Sequence, residues 1–262
     1  MRKNDALRVR QELFPIRDPA KSLLTFGFAP RESEGQGIDD TVADLQVARA
    51  LGVKITTMHV AMGHYDTRLA RVVQNLADTD LLAPDLVFSH SASFTDGELN
   101  AKARIRAGIV GTPDTELQMG MGYPVVFKAR DAGCRVGLGL DIASNQCNDF
   151  VVQMRLAVQT QRGIENASFV SSPAATLKRT TADVLRMGTM GGAEVIHLEN
   201  LVGSITPGKK ADLVLFRCDD IDTVPVLDPV GTVVHLLSIS VLIILGGSPA
   251  PIKGFVIADI VA

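Results

Sequence analysis

From about residue 22 the chain alternates short apolar runs with amphipathic stretches, the pattern of an α/β protein in which parallel strands are joined by helices. Leu23–Ala29, Ile55–Ala61, Leu86–His90, Gly108–Gly111 and Val136–Leu140 are the predicted strands. Between them fall predicted helices over Asp39–Leu51, Thr67–Ala77, Thr95–Ala107 and Pro124–Ala132. The first of these carries Val42, Leu45, Val47, Ala48 and Leu51 on one face. Gly52 and Gly133 stand where two of these helices should stop and turn back into a strand.

Beyond Asp141 the pattern turns helical, over Asp149–Gln161 and Ser172–Met187, with Ser172 and Pro173 as N-cap and first helical residue. From Ile205 it reads as β again, a Pro207-Gly208 turn leading into an alternating strand up to Phe216. The apolar run Val233–Leu245 is broken by His235, Ser238 and Ser240 and falls short of the ~20 residues of a membrane helix, so a buried strand pair is predicted there.

A hydrophobic content of 46% over 262 residues is enough for a substantial core. The formal charge of −3, with Lys and Arg spread along the chain, offers no basic face for nucleic acid, and the absence of Trp removes the usual stacking platform. The three cysteines, Cys134, Cys147 and Cys218, are widely spaced with no CxxC pair, as in a reduced intracellular protein. The charged start MRKNDALRVRQELF lacks the apolar segment of a secretory signal, so a cytoplasmic protein acting on a small molecule is expected. A GxSxG elbow is absent, and Val136-Gly-Leu-Gly-Leu-Asp141 lacks the third glycine of a dinucleotide fingerprint.

In a parallel sheet joined by helices, chemistry gathers at the C-terminal ends of the strands. His59, His90 and Asp141 end three of the predicted strands. Each alone has an ordinary structural role open to it: a hydrogen-bonded histidine in two cases, a helix N-cap in the third. Together they form a candidate divalent-metal or acid–base site, because neutral imidazole and carboxylate suit Zn²⁺ or Fe²⁺. His64 lies beyond its strand in a loop, and His197 and His235 fall far along the chain, where structural roles are expected.

These residues resemble the amidohydrolase superfamily, in particular its chlorohydrolase, cytosine-deaminase and guanine-deaminase-like members. ITTMHVA is similar to the fifth-strand metal-ligand motif, DLVFSHSASFTDGEL to the sixth, GTPDTELQMGMGYP to a seventh-strand loop, and VGLGLD with the following Met-Arg helix to the eighth. VGSITPGKKADLVLF resembles the exit from the barrel into a small β-sandwich. The resemblance implies a partial TIM (β/α)8-type barrel, about strands 4–8, over residues 22–200, with an extension over 1–21 and a sandwich segment over 201–262. It also implies His59 as a metal ligand, His90 as the group that polarises substrate, and Asp141 as ligand and proton carrier. Zn²⁺ is the implied ion, with Fe²⁺ as the alternative, in a hydrolase of non-peptide carbon–nitrogen bonds. His64, Glu116 and Asn145 are the candidate substrate-facing loop residues, and homo-oligomers are an expected partner state.

The sequence departs from that pattern twice. It contains no His-x-His pair, and Met62 stands three residues after His59, where many such deaminases carry a proton-transferring Glu. The alternative is therefore a truncated, catalytically impaired copy or an incomplete gene product.

Overall fold

The computed structural model describes residues 3–15, 18–21, 24–66, 70–142, 144, 146, 148–167, 169, 175–219, 221–237, 241–244 and 254–258. An N-terminal helix, α1 (Lys3–Glu12), precedes α2 (Ile38–Ala50) and β1 (Thr56–Val60). There follow α3 (Val72–Ala77), β2 (Leu86–His90), α4 (Asp96–Arg104), β3 (Gly108–Gly111), α5 (Pro113–Gln118), α6 (Val126–Asp131) and β4 (Arg135–Leu138). The strands form one parallel sheet in the order β1-β2-β3-β4, with Met58 opposite Phe88, His59 opposite Ser89 and Gly111 opposite Leu138. Sequential strands joined through helices give this topology, as the alternation predicts.

Period-two burial decides which side chains reach the site. In β1, Thr56, Met58 and Val60 are buried, while His59 between them is exposed on the opposite face. Met58, Val60, Leu86 and Phe88 pack with Leu45 of α2, Val72, Val73 and Leu76 of α3 and Ala101 of α4. Ala6 of α1 packs with Phe28, Ala48 and Leu51.

A larger core cluster joins Ile109, Val136 and Leu138 to Val126 and Phe127 of α6 and to Val151, Met154 and Val158 of α7 (Phe150–Asn166). The Asp149 carboxylate caps α7 by accepting from the Val151 N–H at 2.9 Å. Next come α8 (Thr181–Arg186), a π-helical turn over Met187–Gly191, and α9 (Gly192–Val195). The turn lies hard against β4, where a Cβ on Gly191 would stand 2.4 Å from the Val136 carbonyl oxygen. Finally β5 (Leu213–Arg217) lies between β6 (Val241–Ile244) and β7 (Gly254–Ala258), antiparallel to both, with α10 (Pro229–His235) between β5 and β6. Phe216 of β5 and Val233 and Val234 of α10 join the larger core cluster.

Four expectations need correction. Within Leu23–Ala29 the described residues 24–29 hold no strand; only Phe28 bridges Thr56, because Gly27 and Pro30 flank it and proline cannot donate to a ladder. Val233–Leu245 is not a strand pair: Val233–His235 ends α10, whose Asp228 N-cap and Pro229 start overrule the apolar run, and Val241–Ile244 is a strand. Within the predicted helix over Ser172–Met187 the capping box of Thr180 and Asp183 opens α8, while Ser172 and Pro173 lie outside the described residues. The strand expected over Val136–Leu140 is Arg135–Leu138, so Asp141 stands three residues past its end. Among the described residues no helix is long and apolar enough to cross a membrane.

Candidate metal centre

The rim beyond β1, β2 and β4 brings together the three residues picked out by their strand-end positions. One ligand-competent atom from each of His59, His90 and Asp141 lies within 4.8 Å of the others. The two imidazole rings stand 5.2 Å apart between centroids, tilted by 50°. Ligands ~2.0–2.2 Å from a zinc ion sit roughly 3–4 Å from one another, so adjustments of about 1 Å would close this donor set around one.

The backbone at this rim is unusual. His90, Ser91 and Asp141 adopt φ of 65°, 66° and 68°, and Ala61, two residues after His59, adopts 53°. For non-glycine residues each such turn costs about 1–2 kcal/mol, and such strain persists where surrounding contacts over-determine it, commonly at functional sites. The contacts here are identifiable. The Ser91 N–H donates to the Val60 carbonyl at 3.0 Å, and the Ser93 N–H donates to that of Ala61 at 2.9 Å.

Both imidazoles are held from behind. His59 Nδ1 is 3.1 Å from Glu32 Oε2, and each side chain is 46% exposed. The hydrogen bond to Glu32 is the main force holding the His59 imidazole above its ordinary titration range, with the charges of Glu32, Asp141 and Glu34 adding to it. The same bond holds the Glu32 carboxyl below the usual carboxylate range. His90 is 2% exposed; its Nδ1 lies 3.0 Å from Thr112 Oγ1 and 3.7 Å from Glu116 Oε1. A carboxylate behind Nδ1 favours a proton there, leaving Nε2 of His90 free to act.

Of the residues expected to face substrate, His64 is exposed in a short helical turn, Gly63–Tyr65, with its Nδ1 3.0 Å from the Gly120 carbonyl and its ring 4.1 Å from that of Tyr65. Glu116 is fully buried behind His90, where its Oε1 accepts from the Thr112 N–H at 2.9 Å and its Oε2 has no partner among the described residues. Asn145 lies outside the described residues. His197 is bound to Arg135 and the Pro84 carbonyl, away from the rim.

Strand-end position did not reveal Glu32 and Glu34, which come from the Arg31-Glu-Ser-Glu-Gly35 loop before α2. Glu34 accepts a hydrogen bond from the Ala61 N–H, and burial pushes its carboxyl up to about 7. Thr112 could have been found, since it directly follows β3. Its sequence context, Thr-Pro, reads instead as a helix start.

The amidohydrolase family model matches residues 41–246. The chain belongs to the amidohydrolase family. The chain is 32% identical over 143 residues to a 5-methylthioadenosine/S-adenosylhomocysteine deaminase of Desulforudis audaxviator, covering 54% of this chain and 31% of that protein. It is 27% identical over 216 residues to an isoxanthopterin deaminase from an unknown prokaryotic organism, covering 77% of this chain and 42% of that one. Its fold matches the crystal structure of an adenosine deaminase from Xanthomonas campestris with bound zinc, at a TM-score of 0.76 and 22% identity, over 89% of this chain and 52% of the other. The chain thus spans about half or less of the length of these three proteins.

Proposed function

We propose that this chain carries part of the active site of a metal-dependent hydrolase of non-peptide carbon–nitrogen bonds, acting on a small cyclic amide or amidine-like ring. The carrying observation is the convergence of His59, His90 and Asp141 to within 4.8 Å. The donor set of two imidazoles and a carboxylate suits Zn²⁺, with Fe²⁺ as the alternative. The relatives' names support an amino-substituted purine- or pterin-like ring as the substrate class. On this proposal residues 22–200 form barrel strands 4–8, residues 1–21 an N-terminal extension, and residues 201–262 the sandwich segment.

When bound, the ion would lower the pKa of water toward ~7 and supply hydroxide at neutral pH. His59 and Asp141 would hold it, with His90 near enough to contact it while no substrate is bound. The Asp141 carboxylate, exposed at the rim, takes up the proton of the attacking water. His90, tied at Nδ1 by Thr112, presents Nε2 to the substrate and orients it. On this proposal His64 and Asn145 contact the substrate, while the full burial of Glu116 supports a role in holding His90. Met62 cannot relay a proton, because a thioether has none to give.

The test is metal analysis of the purified chain beside its His59→Ala and Asp141→Ala variants, with hydrolysis measured across cyclic amides and aminoazines. Stoichiometric zinc or iron, lost in both variants, is the expected result. A wild-type chain that takes up neither ion would overturn the proposal.

A further inference from the structure

Lys102 is 0% exposed on α4, and among the described residues it forms no ion pair. Its Nζ donates to Ser91 Oγ at 3.1 Å and stands 5.0 Å from the ring centroids of both Phe88 and Phe94. Taking an ammonium out of water costs several kcal/mol, and one hydrogen bond with two aromatic faces returns only part of that. A methionine of similar length would fill the same space at lower cost, so what the amine touches matters. It touches the second of two consecutive residues in the left-handed region, His90 at 65° and Ser91 at 66°. The Ser91 N–H is bound to Val60 on the neighbouring strand, so Ser91 is held at its backbone from one side and at its hydroxyl from the other.

We infer that Lys102 is a positioning residue for His90: by clamping Ser91 it keeps the His90–Ser91 backbone in its strained turn and so aims the imidazole at His59 and Asp141. This rests on the metal-site proposal only for its functional meaning; the placement of His90 is a property of the metal-free chain. Burial lowers the amine to about 8, which leaves it protonated and donating at neutral pH. The nearby Glu98 carboxylate opposes that shift.

The experiment uses the full chain, ¹⁵N-labelled and metal-free, as wild type, Lys102→Met, Ser91→Ala and the double variant. Long-range ¹H–¹⁵N spectra report the His90 ring tautomer, circular dichroism reports folding, and a zinc titration follows. Expected are a single Nδ1-protonated tautomer in the wild type and averaged tautomers in both single variants. Zinc affinity should fall by about 10- to 100-fold in each, with no further loss in the double variant. An unchanged His90 ring in folded Lys102→Met, or losses that add in the double variant, would overturn the inference. If Lys102→Met does not fold, Ser91→Ala decides, since it removes only the hydroxyl and an unchanged His90 ring there is equally fatal. A wild type that binds no zinc would sink the metal proposal while the His90 spectra still decide the role of Lys102.

Discussion

Glu32 and His59 meet at 3.1 Å from positions 27 residues apart, one on a loop before α2 and the other on β1. A carboxylate on one imidazole nitrogen fixes which nitrogen is left for a metal and raises its basicity. Replacing Glu32 with Ala should weaken zinc binding by roughly 10- to 100-fold, whereas Gln, which keeps an acceptor, should lose less. Isothermal titration of the three proteins with zinc checks this, and equal affinities would remove Glu32 from the site.

Thr112 ties His90 Nδ1 at 3.0 Å within a buried setting. Thr112→Val keeps the shape and removes the hydroxyl. Loss of one buried hydrogen bond predicts destabilisation of about 1–2 kcal/mol and weaker zinc binding. Urea unfolding gives the first quantity and metal titration the second.

The Glu34 carboxyl is raised from 4.5 to about 7 by burial, reinforced by the charges of Asp66 and Glu32. Between those values the folded chain keeps a proton that the unfolded chain has released, so stability falls as pH rises through the window and levels off above it. The full effect is at most about 3 kcal/mol. Lys102 has the opposite sign: lowered from 10.5 to about 8, it makes the folded chain shed its proton first, so stability recovers as pH rises from 8 to 10.5. Glu34→Gln should therefore be more stable than wild type at pH 7.5 and nearly equal to it at pH 4. Denaturation curves at those two pH values test the sign.

Gly63 follows the β1 rim with φ of +65°, and a Cβ there would stand 1.9 Å from the Met121 carbonyl oxygen. Gly63→Ala should destabilise by more than about 2 kcal/mol and separate the loop after β1 from the loop between α5 and α6, losing the His64 to Gly120 contact. A thermal melt within a degree or two of the wild type would contradict this close approach.

Much of the fold is legible in local pattern. β1, β2 and β3 fall within or on the predicted runs, because alternating burial and β-branched residues write a strand directly into a few neighbouring positions. The helix over Thr95–Ala107 was legible for the same kind of reason: Thr95 and Glu98 cap it reciprocally three residues apart. Where two local signals compete the pattern misleads, as at Val233–Leu245, where Asp228-Pro229 starts a helix inside an apolar run.

The sequence by itself determined the strands that carry His59 and His90 near their ends, because the period of two and the β-branched residues that write a strand are local; Asp141 reaches the same rim from three residues past the end of β4. Only the tertiary structure decided what stands behind them. Glu32, Glu34, Thr112, Glu116 and Lys102 come from two loops and two helices, and the distances that pair them with His59, Ala61, His90 and Ser91 are set by how helices pack on the sheet. No periodicity along the chain encodes those distances.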